Sequence, residues 1–191
     1  QCFGSSNGAA TISFDNGQPA FSYTLDGGSS LAVAGSPFSI TGLSAGSHTA
    51  TIADADGNTA SVNFTITQPL APITVNFTFT PILCNGGLST QNLTIHGGTA
   101  PYTVTNQGGG AFVTGAAEGI TDGGNTGNTF AANYIYTVTD AKGCQYVFNE
   151  NITQPAAMMV SASATDINCN NGSTVTVTAT GGKAPYSGTG V

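Results

Sequence analysis

Two histidines, two glutamates and four cysteines are the residues of this 191-residue chain from which a reaction centre could be built. His48 lies in an alternating stretch, and His96 stands just before the Gly97-Gly98 turn. Both are places for structural residues, and neither has Ser and Asp partners at a spacing that would mark a nucleophile and its base. Glu118 and Glu150 sit in different contexts and form no general acid and base pair by spacing. Gly108-Gly109-Gly110 follows Gln107 with no Lys and no helix after it, which excludes a phosphate-cradling loop. No two Cys or His stand at the short spacing of a metal site. No catalytic residue, metal ligand or cofactor is therefore expected, and the chain reads as a non-enzyme.

Two weaker chemistries deserve weighing. Asp54-Ala55-Asp56-Gly57-Asn58 offers carboxylate and amide oxygens around a glycine, as a calcium loop would. The matching turn further on, Asp140-Ala141-Lys142-Gly143-Cys144, has Lys where Asp56 stands. A hairpin turn whose Asp side chain bonds its own backbone accounts for the same letters, and is the expectation. Sequons at Asn63, Asn76, Asn92, Asn151 and Asn171 permit N-glycosylation where the host has the machinery.

Charge removes further classes. Charged residues are 6% of the chain, Lys142 and Lys183 are its only cations besides the N-terminus, and the net charge is -7. Nucleic-acid affinity comes largely from Lys and Arg neutralising phosphates, so no nucleic-acid partner is expected. Anionic membrane surfaces are poor partners for the same reason. Hydrophobic residues nevertheless reach 39%, enough to form cores. No apolar run approaches the roughly 18–20 residues that span a bilayer, so no membrane insertion is expected. The sequence opens at Gln1 without a basic and apolar leader, and reads as a processed chain or an excerpt.

The elements that carry these residues repeat. Cys2-Phe3-Gly4, Cys84-Asn85-Gly86 and Cys169-Asn170-Asn171 each lead through a strand-like run to a Pro followed by an aromatic: Pro19 with Phe21, Pro101-Tyr102 and Pro185-Tyr186. Asp54 to Asn58 and Asp140 to Cys144 match, and each is followed by an Ile-Thr-Gln-Pro closing at Pro69 or Pro155. Laying Asn58 on Cys144 puts His48 in the place of Tyr134. The boundaries are a repeat over 1–69 that lacks its first strand, a complete repeat over 70–155, and a partial repeat over 156–191 that holds its first strands. Period-2 alternation places Ile73, Val75, Phe77 and Phe79 on one face, and likewise Tyr134, Tyr136 and Val138, and Ala60, Val62, Phe64 and Ile66. Gly-Gly, Asn-Gly and Asp-Gly pairs supply the turns, and no 3.6-residue period is sustained. The expected fold is all-β, as tandem Ig-like antiparallel β-sandwich repeats with six or seven strands in each.

Cys84 and Cys144 occupy the two cysteine positions of the complete repeat. A disulfide between them, closing about 60 residues, would contribute roughly 4 kcal/mol in the chain-entropy model, and it is the expected bridge. Cys2 and Cys169 are left unpaired, separated from partners by truncation, or paired between subunits.

The combined pattern Cys-x-Gly, Gly-Gly-x-x-Pro-Tyr, Val-Thr-Asp-Ala-x-Gly-Cys and Ile-Thr-Gln-Pro closely resembles the SprB repeat of large secreted surface proteins of Bacteroidota, including gliding adhesins. It is nearly intact from Cys84 to Pro155, has Asn58 for the second Cys between Cys2 and Pro69, and is a fragment from Cys169 to Tyr186. The resemblance spans essentially the whole chain. It implies an extracellular or cell-surface, non-enzymatic protein whose partners are neighbouring repeats or identical subunits in an elongated fibre, with surface glycans as further candidates. Two assemblies fit. One is an adhesin stalk in which repeats are spacers. The other is a pilus-like subunit polymerising head to tail, in which 156–191 completes 1–69 of the next chain with Met158, Val160, Ala162 and Ala164 as donor-strand residues.

Overall fold

The computed structural model describes residues 1–107, 111–117, 121–122, 129–167, 169 and 172–187, with backbone alone at 111–116 and 121–122. Every regular element among them is a strand, and all pairings are antiparallel. This agrees with the all-β expectation. Asn171, Glu118 and the Gly108–Gly110 run lie outside the described residues.

The chain divides into two compact units. The first comprises Gln1–Thr74, His96–Thr99 and Asp140–Cys144. Its strands are β1 (Gly8–Ile12), β2 (Phe21–Leu25), β3 (Leu31–Val33), β4 (Phe38–Leu43), β5 (Gly46–Ala53) and β6 (Thr59–Ile66). They form a four-stranded sheet in the order β3-β2-β5-β6 and a two-stranded sheet β1-β4. Ile12, Ile40 and Leu43 from the small sheet and Ala50 and Ile52 from the large one make a single buried cluster. Phe14, Tyr23, Phe38 and Phe64 pack against it. The alternation of β5 explains the division of its faces: His48, Ala50 and Ile52 are buried, whereas Thr49 and Thr51 meet polar cross-strand partners. The Thr49 hydroxyl donates to Asn63 Oδ1 at 2.8 Å, and Thr51 and Ser61 share a bond at 2.8 Å. Such pairs stabilise an open sheet face. The face of β6 is less complete, because Ala60 and Val62 are exposed and only Phe64 and Ile66 are half-buried.

The second unit comprises Val75–Ile95, Ala100–Thr139 and Gln145–Val191. The strands are β7 (Thr74–Phe79), β8 (Gln91–His96), β9 (Tyr102–Asn106), β10 (Ala111–Ala116), β11 (Thr121–Asp122), β12 (Ala132–Thr139), β13 (Gln145–Ile152), β14 (Met159–Ala164) and β15 (Val175–Thr180). A four-stranded sheet runs β10-β9-β12-β13, the same order as in the first unit, beside β11-β8-β7 and the hairpin β14-β15. Phe77 of β7 meets Tyr136 and Phe148 at ring-centroid distances of 5.3 and 5.7 Å. The buried Tyr136 hydroxyl donates to Gln91 Oε1 at 3.1 Å, so neither polar group is stranded in the core. Among the described residues, 1–69 hold six strands, β1 to β6, and 70–155 hold seven, β7 to β13.

His48 is buried in β5 as a structural residue. Its Nδ1 lies 2.8 Å from Asp26 Oδ2 and its Nε2 3.0 Å from the Ser44 carbonyl oxygen. Asp26 also accepts the Thr49 N–H at 2.8 Å. Two acceptors facing the two ring nitrogens favour the doubly protonated imidazolium. The Ser44 carbonyl and then Asp26 thus raise the His48 pKa above 6.5, and the His48 and Thr49 donors lower that of Asp26. A folded-state pKa above the unfolded one gives stability that is present below the unfolded pKa and lost as pH rises through the folded one. The melting-temperature difference between wild type and His48→Gln should therefore be larger at pH 5.5 than at pH 8.5. A difference that grows with pH would contradict the pairing.

Candidate functional site

The turn between β12 and β13 is held by one carboxylate. Asp140, 5% exposed, accepts the N–H groups of Lys142 and Cys144 on Oδ1 at 2.8 and 2.9 Å. Its Oδ2 accepts the Thr99 N–H at 2.9 Å. The Ala141 N–H donates to the Thr99 carbonyl at 2.9 Å, and Asp140 and Cys144 bond through their backbones at 3.0 Å. The turn is thereby fixed internally and against the connection that leads into β9. Gly143, at φ +78°, supplies the left-handed residue that the turn requires.

The β5–β6 turn is built the same way. Asp54 Oδ1 accepts from the Asp56 and Asn58 backbones at 3.1 and 2.8 Å, and Oδ2 from the Gln18 N–H at 3.2 Å. The Ala55 N–H donates to the Gln18 carbonyl at 3.0 Å. Asn58, in the place of Cys144, adds its own amide to both carboxylate oxygens at 3.3 and 3.0 Å. The Asn58 amide, with the backbone donors, holds the Asp54 carboxyl below its usual range. These oxygens are committed to N–H groups, which is the hairpin reading of the sequence. Among the described residues no group of three His, Cys, Asp or Glu is arranged to hold a metal ion.

The anchored turn presents Cys144 to Cys2. Their Cα atoms are 5.6 Å apart and the disulfide spans 142 residues of sequence, within the separation that a bridge requires. The expected Cys84–Cys144 bridge is thus not made, and Cys84 is free and exposed. Strand length explains why. The Cys84 turn is held at the far end of β13, where the Gly86 N–H donates to Gln154 Oε1 at 2.8 Å and the Asn85 amide to the Pro155 carbonyl at 3.0 Å. Cys144 precedes the near end, and an eight-residue strand extends about 26 Å. Cys2 is held in the same manner by its own repeat, through the Gly4 N–H on Gln68 Oε1 at 2.8 Å. The linkage therefore joins Cys2, of the first copy of the sequence motif, to Cys144, of the second, which matching Cys84 to Cys144 within one copy concealed.

Cys169 is free and exposed. His96 is exposed at the end of β8, and Glu150 is half-buried in β13. Asn63, Asn76, Asn92 and Asn151 are exposed on strands. Met158, Val160, Ala162 and Ala164 are exposed, and β14 is zipped to β15 from Met159↔Thr180 to Ala164↔Val175. The SprB repeat family model matches residues 1–30, which hold the Cys2 turn, β1 and β2. That repeat is non-catalytic, and together with the disulfide it is consistent with a surface or extracellular protein, since disulfides persist in oxidising compartments. No curated protein matches the chain.

Closing a loop of 142 residues contributes up to roughly 5 kcal/mol in the chain-entropy model. Cys2→Ser should therefore lower unfolding free energy by several kcal/mol, whereas Cys84→Ser should change it by less than about 0.5 kcal/mol, as surface substitutions do. Denaturant titration of the two variants distinguishes this pairing from a Cys84–Cys144 bridge, which would reverse the order.

Proposed function

We propose that the chain is a run of extracellular, non-enzymatic Ig-like repeats serving as a spacer in a cell-surface fibre or adhesin stalk. The observation that carries this reading is the Cys2–Cys144 disulfide, which ties consecutive sequence repeats covalently. Such a tie suits a protein that must resist pulling and proteolysis outside the cell. Support also comes from the SprB-repeat match, the recurring strand order and the near absence of cations. The exposed Thr- and Asn-rich strand faces carry the sequons at Asn63, Asn76, Asn92 and Asn151 and suit a hydrated, glycan-bearing surface.

A second reading, head-to-tail strand complementation, is favoured by one observation. β8 is flanked by both β11 and β7, whereas β1 pairs with β4 alone. Beside it lies a hollow of about 250 Å³ lined by Phe14, Gly17, Phe21, Ile52, Asp54 and Asn58. At the matching place in the second repeat, Ile73 packs on Gly98. A donated strand led by an aliphatic residue fits there. A donor β14 would first have to leave β15, which costs a six-residue ladder. Electron microscopy at high protein concentration separates the two. The stalk reading predicts single chains, whereas fibres that vanish when 156–191 are deleted would replace it with complementation.

A further inference from the structure

The surroundings of Cys84 repeat those of Cys2 in all but one part. The Gly87 N–H closes the Cys84 turn onto the Cys84 carbonyl at 3.0 Å, as the Ser5 N–H does onto Cys2 at 3.2 Å. Gly86 is held by Gln154 as Gly4 is by Gln68, both at 2.8 Å. The glycine pair of the following repeat also recurs. The Gly182 N–H donates to the Ala156 carbonyl at 2.7 Å, and the Gly98 N–H to the Ala71 carbonyl at 2.9 Å. A Cβ on Gly181 would fall 2.0 Å from the Ala157 oxygen, and one on Gly97 1.9 Å from the Pro72 oxygen. In both places only glycine permits so close an approach. Met158 then lies against Gly182 as Ile73 lies against Gly98.

The difference is the turn. Beside Cys2, the Asp140–Cys144 turn binds the Thr99 N–H and contributes the partner sulfur, and Ile73 is 7% exposed. Beside Cys84 there is an open groove of about 510 Å³ bordered by Leu83, Asn85, Ala156, Met158, Gly182 and Lys183, and Met158 is 64% exposed.

We propose that this groove binds a further hairpin turn of the Asp-Ala-x-Gly-Cys type, and that Cys84 forms a disulfide with its cysteine. The occupant is identified by the equivalent junction in the same molecule. Its Asp carboxylate accepts the backbone N–H of Lys183, which takes the position of Thr99, and its apolar side covers Met158. Neither turn of this chain serves, because Cys144 is bound to Cys2 and Asn58 has no sulfur. Bond formation removes two protons and two electrons from the two thiols. A disulfide oxidant such as glutathione disulfide accepts them and leaves as two thiols. The inference deepens the stalk reading and rests on it for the origin of the turn, a neighbouring repeat, but not for the geometry.

The test uses the intact chain, its Cys2–Cys144 bridge formed, with a peptide of the sequence of residues 137–148 in a glutathione redox buffer. Mass spectrometry then quantifies the peptide captured on Cys84 and on Cys169, which is equally free and exposed. Capture on Cys84 should exceed that on Cys169 at least tenfold, and a peptide with Asp140→Ala should lose the preference. Equal capture on the two cysteines, or a preference indifferent to that Asp, overturns the proposal. A second measurement uses a chain with residues 103–155 appended after Tyr186, which completes a third repeat. Cys84 should become protected from alkylation and joined to the appended cysteine. An elongated chain by X-ray scattering whose Cys84 still alkylates would overturn the groove assignment and leave the stalk reading standing.

Discussion

Cys144 precedes one end of β13, and Gln154, which holds the Cys84 turn, follows the other. A strand is nearly inextensible, at about 3.3 Å per residue, so a repeat's two cysteine positions cannot meet across its own length. Gln68 holds the Cys2 turn beyond the end of β6, and Gln154 holds the Cys84 turn beyond the end of β13. The Asp140–Cys144 turn is then the partner within reach of Cys2. The pairing pattern follows from strand length and two hydrogen-bonded anchors, with no further specification needed from the cysteines.

The anchors divide the work. The Asp carboxylate at positions 54 and 140 satisfies the N–H groups of its own turn and one N–H of a neighbouring connection, so the residue four places on is held in a fixed direction. At Cys144 that residue is used for a covalent bond. At Asn58 the same place carries an amide that returns to the carboxylate. The turn is thus stable without sulfur, and the disulfide is an addition to a geometry that exists already.

Much of this was legible in the residues. The alternation at Ile73 to Phe77 and at Tyr134 to Val138 marked positions that are buried or half-buried, whereas Phe79, expected on the same face, is exposed. The Asp54 turn was readable as a hairpin from the Lys that replaces Asp56 in its twin. The disulfide was not legible. Matching Cys84 to Cys144 assumed that positions within one repeat are near in space, whereas proximity here is set by the ends of strands. The hydrogen bonds from Gly4 to Gln68 and from Gly86 to Gln154 carry that information, and a sequence shows the glycine and the glutamine without showing that they meet. The role of His48 was half legible: its place on an aromatic position was clear, but its pairing with Asp26 depends on a turn between β2 and β3 that brings them together.

Peptide mapping under non-reducing conditions tests the central claim most directly, with proteases that cut between Cys2 and Cys84 and on both sides of Cys144. The structure requires a linked species containing Cys2 and Cys144, with Cys84 recovered as a free, alkylated thiol. A linked species containing Cys84 and Cys144 would contradict the Cys2–Cys144 pairing, and with it the strand-length account of that pairing.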